Sequence, residues 1–233
     1  MPTVDADHPP SKERSPRRRA AWGEPTANEP RWQARIAIIV SALLYLTLPS
    51  KYALGPIWLF PALEGAVLIV LLLGIPSRLG QRWARGVAVA LIALIMLANN
   101  VSLVFLVQNI VQGGKITGRE LLYSSIAIWL TNVIVFALWY WELDRGGPDA
   151  RRLRNHPEPD FLFPQMVTPG CSIVGWTPVF LDYLYVAFTN ATAFSPTDTM
   201  PLTPWAKMLM LVQSAVSLAT VTLVAARAVN ILS

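Results

Sequence analysis

Six apolar segments follow one another along this chain, at residues 36–49, 57–75, 87–111, 121–141, 177–194 and 205–231, with hydrophilic stretches before and between them. This pattern leaves few folds open. A helix needs about 20 apolar residues to cross the hydrocarbon of a bilayer, and inside that layer every backbone N–H and C=O must find its partner within the protein. Composition agrees, since 54% of the residues are hydrophobic and only 14% are charged, against about 25% charged in a soluble domain. The expected fold is all-α, a polytopic transmembrane helix bundle of six spans at residues 34–233, preceded by a tail of residues 1–33.

The tail is rich in Pro, Arg, Glu, Asp and Ala and has no apolar period on which a helix could pack, so it is expected to be disordered. Its basic run at Arg17, Arg18 and Arg19 is followed by mostly polar residues and then by an apolar run without a convincing small-residue cleavage site, which argues against a cleavable signal. The formal charge of +5 points to lipid and away from nucleic acid, because the basic residues flank apolar spans. Anionic headgroups are the expected partner of the tail. One cysteine, Cys171, can form neither an internal disulfide nor a thiolate cage, and His8 and His156 lack partners at ligand spacing. No metal and no cofactor is expected. An enzyme is not expected either, because G-x-S-x-G, H-E-x-x-H and paired intramembrane aspartates are all missing.

The polar residues within the apolar segments are the candidates for function. Glu64 admits two readings: in a helix starting at Pro61 it lies in the first turn, where the dipole favours its charge, or it is a buried functional carboxylate. In the third segment Asn99, Ser102 and Asn109 share a helical face that Asn100 and Gln108 widen. The fourth segment answers with Ser125 and Asn132, and with Ser124 and Thr131, each pair seven residues apart. Interhelical hydrogen bonds or a polar lining both fit. Residues 160–175 are interrupted by Pro164, Pro169 and Gly170 and read as a membrane-surface loop. In the fifth segment Asp182, Tyr185, Thr189 and Asn190 fall on one face. Asp182 stands either near the headgroups or in a pathway. The last segment is opened by Thr203 as N-cap and Pro204 at the first helical position. Its Ser214, Ser217 and Ala225 put small residues on one face, which suits close helix packing.

Charge sets the orientation. With six spans and a cytoplasmic amino terminus, 15 of the 19 Lys and Arg residues lie on the cytoplasmic side and 4 outside, as the positive-inside rule requires.

Tyr185, Phe188 and Thr192, then Asp198, then Pro201, Thr203, Pro204, Ala206 and Lys207 stand in the order and spacing of a pore helix, a filter's closing Asp and the P-x-T-P-x-A-K/R that follows it. This stretch resembles the pore region of tetrameric potassium channels. Where that family has Gly-Tyr-Gly, this chain has Ser195, Pro196 and Thr197. Residues 35–233 are also similar in span count and final span pair to small bacterial inner-membrane proteins of unknown function. The resemblances imply a bacterial inner-membrane location, a possible homo-oligomer and, as the alternative to six spans, five spans plus one re-entrant helix. Crossing is the expectation for residues 177–194, which as a helix would measure about 27 Å. Two functions stay open. In the first the chain is a pore or a transporter of ions or small solutes, with Glu64, Asn99, Asn132, Asp182, Thr189, Asn190 and Asp198 as pathway or polar network. In the second it is a non-conducting membrane scaffold or accessory subunit.

No potassium selectivity is expected, because Ser195 and Thr197 carry a β-carbon where a carbonyl-lined filter relies on Gly, and Pro196 has no N–H. Potassium and sodium fluxes through the purified protein in liposomes, compared directly, check this.

Overall fold

The computed structural model describes residues 29–73, 78–113, 116–153, 157–168, 176–192 and 198–232. The tail up to residue 28, His156, Cys171 and the filter-equivalent Ser195, Pro196 and Thr197 lie outside the described residues. Among the described residues there are seven α-helices: α1 (Trp32–Leu46), α2 (Leu59–Leu73), α3 (Arg78–Val111), α4 (Gly118–Leu143), the single turn α5 (Pro164–Val167), α6 (Phe180–Thr192) and α7 (Pro204–Leu232). Two residue pairs, β1 (Phe161–Leu162) and β2 (Met200–Pro201), form an antiparallel ribbon with Phe161 opposite Pro201.

Three stretches are long and apolar enough to cross a membrane: Arg85–Val111, Gly118–Gly146 and Pro204–Ala226. The shorter α1 and α2 have 15 residues each, about 22 Å of helix. α3 takes in Arg78 to Gly86, which by sequence reads as a turn between spans. Leu79, Gln81, Arg82, Trp83 and Ala84 carry no breaker among them, and their helix propensity outweighs Gly80 and Gly86. α4 is buried around most of its circumference and packs on α1, α3, α6 and α7, so it is the axis of the bundle.

Contacts fix the direction of each helix. Glu29, just before α1, meets Arg151 and Trp141 at the C-terminal end of α4, whereas Lys51, after α1, pairs with Glu120 at the N-terminal end. α1 therefore runs from the first of these ends, the near end, to the far end. Ser41 bonds Glu64, Arg85 pairs with Glu142, and α2, α3 and α4 alternate in turn.

α6 breaks the alternation. It starts at the near end, where Tyr183 donates to Asp144, and runs parallel to α7, with Ala187 opposite Gln213 and Ala191 opposite Ser217. That offset brings Thr192 level with residue 218, about 21 Å into α7 and half-way along it. By Met200 the chain is back at the near end, where β2 pairs with β1 and the Thr203 hydroxyl donates to Asp160 at 2.7 Å. α6 thus stops inside the bundle with the chain at the near end again by Met200, whereas the length of residues 177–194 suits the crossing expected from the sequence. The helix has 13 residues; of the 18 positions, 177–179, with Pro178, stay outside it and 193–194 lie outside the described residues.

Residues 160–168 are also not a surface loop. Phe161, Phe163 and Met166 are buried under the junction of α4 and α6, with the Phe161 and Tyr140 rings 4.9 Å apart and the Phe163 and Tyr183 rings 5.4 Å apart. An extended backbone at Phe161 and Phe163, followed by Pro164 at the first position of α5, turns these aromatics into the core.

The corner after α4 has left-handed backbone at Arg145, Gly146 and Gly147. A β-carbon on Gly147, at φ 95°, would come within 2.8 Å of the Glu142 carbonyl oxygen, so no larger residue fits. Arg145 and Arg151, which by sequence belong to a basic cluster at the membrane surface, are fully buried here. Arg151 is bonded on both sides, whereas Arg145 Nε and Nη1 have no hydrogen-bond partner among the described residues and its charge faces Asp144 alone. Asp144 accepts from Tyr183 Oη at 2.6 Å and from the backbone of Asp160 at 2.8 Å and Phe161 at 3.3 Å, with Arg145 Nε 3.5 Å away.

Asp144→Ala is expected to destabilise the protein by about 3–5 kcal/mol, because it strands a buried guanidinium and three donors. Arg31→Ala, which breaks an exposed pair with Asp149, should cost less than ~1 kcal/mol. Thermal unfolding in one detergent compares the two.

Candidate functional site: a helix end held inside the bundle

The last four carbonyls of any helix have no partner inside it, and at membrane depth an unbonded carbonyl costs several kcal/mol. α6 ends inside the bundle, beside the middle of α7. Three of its final carbonyls are bonded by hydroxyls: Thr192 Oγ1 donates to Thr189 O at 3.1 Å, Ser214 Oγ to Asn190 O at 3.4 Å and Ser217 Oγ to Ala191 O at 2.5 Å. Ser214 and Ser217 are three apart on α7 and small, so they reach α6 while letting the two backbones approach. Close packing, expected from the sequence, is therefore present at Ser214 and Ser217, with a second purpose added to it, whereas Ala225 is exposed.

Gln213 is the centre of the arrangement. It is fully buried; its Nε2 donates to Ala187 O at 2.8 Å, and its Oε1 accepts from Tyr140 Oη at 2.6 Å and Asn190 Nδ2 at 2.8 Å. Asn190 Nδ2 also donates to Met210 O at 3.0 Å, and its Oδ1 accepts from Ser214 Oγ at 3.1 Å. From α4, Asn132 Nδ2 donates to Gln213 O at 3.3 Å and Trp129 Nε1 to Ser217 Oγ at 2.7 Å. Seven side chains, three from α4, one from α6 and three from α7, thus bridge three helices around the end of α6.

Of the sequence candidates, Asn132 and Asn190 belong to this network. Thr189 sits beside it but donates only to its own helix, at Tyr185 O and Val186 O. Asp182 is elsewhere. It caps the start of α6 at the near end, accepting from Val179 N at 2.8 Å. Glu64 lies in the second turn of α2, because the helix begins at Leu59 and not at Pro61. There it is buried and accepts from Ser41 Oγ at 3.3 Å, so the first-turn reading does not hold. Asn99 is buried on α3, and the described hydrogen bonds do not connect it to α6. The polar faces of α3 and α4 do not bond one another as spacing suggested: Ser102, Ser124 and Ser125 have buried hydroxyls without a hydrogen-bond partner among the described residues. Asp198 is exposed at the near end. The seven candidates do not meet in one place.

Sequence reasoning passed over Gln213, Tyr140 and Trp129. A buried amide in the middle of an otherwise apolar span is a signal, and Gln213 gave it; the indole and phenol read as apolar belt or core, and only the fold aims their donors.

A second polar centre closes the near end. Arg151 donates to Trp141 O at 2.7 Å, to Asp144 O at 2.9 Å and to both oxygens of Glu29, and its guanidinium lies 5.5 Å from the Tyr183 ring centre. Burial pulls its pKa down, and Tyr183, Glu29 and Asp144 together more than offset that, so Arg151 stays charged. At the far end the Glu120 carboxylate, 2.6 Å from Lys51, raises the ammonium pKa. Among the described residues no three His, Cys, Asp or Glu side chains converge as a metal site would need.

Gln213→Leu keeps the volume and strands Tyr140 Oη, Asn190 Nδ2 and a helix carbonyl, so a loss of about 1–3 kcal/mol is expected. Ser217→Ala should cost nearer ~0.6 kcal/mol, the usual worth of one interhelical bond in a membrane. Unfolding of both variants in the same detergent checks the order.

Compared with protein-family models, with curated proteins and with solved structures, the chain matches none.

Proposed function

We propose that this chain is a multi-pass protein of a bacterial inner membrane, with a cytoplasmic amino terminus, five spans and one re-entrant helix. Copies of it assemble so that the re-entrant segments line a pathway for ions or small solutes. The observation that carries this reading is α6, which starts at the near end, stops half-way along α7 and is followed by a chain already back at the near end by Met200. Non-helical backbone at membrane depth is tolerated only where protein covers it or where it lines a water-filled cavity. Leu181, Tyr185 and Phe188, three to four residues apart, are exposed along the outer side of α6 at 58%, 64% and 47%. In an assembly this stripe meets a neighbouring copy. The carbonyl end of α6 carries partial negative charge into the bundle, which favours cations over anions.

Orientation follows from the flanks. Trp32, Trp83 and Trp205 are exposed at the near end, as an aromatic belt at a bilayer surface requires. With α6 returning, Lys207 and Arg227 exchange sides, and the balance stays at 15 basic residues on the near side against 4 on the far side. The near side is therefore the cytoplasmic one, where the basic tail meets anionic headgroups.

A second reading, a non-conducting scaffold, is favoured by one observation: Asn132, Asn190 and Gln213 are bonded to helices and not to each other across an opening. Flux decides. Liposomes holding only this protein should pass small monovalent cations faster than protein-free liposomes, and equal leakage would leave the scaffold. In a Cys171→Ser background, Thr189→Cys should react with a membrane-impermeant thiol reagent if the open side of α6 is wet. Asn190→Cys, pinned against α7, should stay silent under both readings and serves as the control.

A further inference from the structure

The residue just ahead of α1 is built into the base of the re-entrant element. Glu29 is 4% exposed; its carboxylate takes the Nε–Nη2 edge of the Arg151 guanidinium, at 3.0 Å and 3.2 Å from Nη2 and 3.3 Å from Nε, and accepts from the Trp141 indole. Arg151 is fully buried and holds the last carbonyls of α4. It also lies over the ring of Tyr183, whose hydroxyl is on Asp144. A continuous path of buried contacts therefore runs from the amino-terminal segment, through Arg151, to α6.

We propose that Glu29 is a strap: it fastens the amino-terminal segment to the α4–α6 corner, so that withdrawing it loosens the start of the re-entrant helix. The chemistry supports such a device. The Nε and Nη2 donors of Arg151 both go to Glu29, with each side chain at 0% exposure, and removing one partner of a buried pair is far costlier than removing an exposed one. When Glu29 leaves, Arg151 must move towards water, and it takes with it the support beneath Tyr183 and the end of α4. The segment ahead of Glu29 holds Lys12, Arg14, Arg17, Arg18 and Arg19, so anything anionic that binds the tail has a lever on this contact. The inference goes beyond the pathway reading, because its readout is the packing of α6 and not flux.

Hydrogen exchange of the α6 backbone, followed by mass spectrometry on the full chain in lipid nanodiscs, tests it. Deleting residues 1–27 should leave the exchange of α6 as in the wild type. Deleting residues 1–29, or making Glu29→Gln, should speed exchange in the first turns of α6 by about tenfold or more, and Glu29→Asp should fall between. Wild-type exchange in both Glu29→Gln and the 1–29 deletion would overturn the proposal. Should those variants not fold, the double variant Glu29→Gln, Arg151→Gln removes both charges; it is expected to fold with fast α6 exchange, and slow exchange there overturns the proposal equally.

Discussion

A helix that stops inside an apolar bundle leaves carbonyls that nothing but protein can satisfy, and much of this structure is the answer to that constraint. α6 could not end abreast of the middle of α7 if α7 presented Leu at positions 214 and 217. It presents Ser at both, and Thr192 supplies a third hydroxyl from α6 itself. Gln213 then fixes the register, since its amide reaches Ala187 on one side and receives Tyr140 and Asn190 on the other. A slip of one residue along α7 would rotate these groups by about 100° and leave each of them without a partner in an apolar interior.

The near end carries the matching load. The chain must leave α4, return under it and then deliver α6 inward, all within a few residues, and it does so around Asp144 and Arg151. Buried charges of this kind are weak sources of net stability but strong determinants of which arrangement forms, because each removed partner strands the other. Asp144 receives donors from Tyr183 on α6 and from the strand that follows, while Arg151 ties down the carbonyl end of α4 and the residue before α1. Left-handed backbone at Arg145 and the close approach at Gly147 are the local cost of that corner.

These two centres give the polar residues of the spans a role that does not depend on transport. Asn132 and Asn190 hold helices, Asp182 caps one, and Glu64 is matched by Ser41. The part of the molecule that speaks for a pathway is not any one side chain but the route of the backbone, in and out at one end, with the outer side of α6 left to a neighbour or to lipid.

The sequence by itself determined that the protein is helical and apolar enough for a membrane, where α7 begins, and which residues of α7 would let another helix come close. Those features are local. Apolar length, the Thr203–Pro204 start and the Ser214–Ser217 spacing each express themselves within one or two turns of chain. Tertiary structure alone decided that α6 stops half-way along α7 with the chain at the near end again by Met200, because a largely apolar stretch of eighteen residues meets the length requirement of a span as well as that of a half-helix with its flanks. The choice is made by contacts distant in sequence: Phe161 with Pro201, Asp160 with Thr203 and Tyr183 with Asp144. The same is true of Arg145 and Arg151, which in sequence look like surface charge. Arg145 finds its carboxylate next door at Asp144, but Arg151 is met by Glu29 from 122 residues away, and no local pattern records that partner.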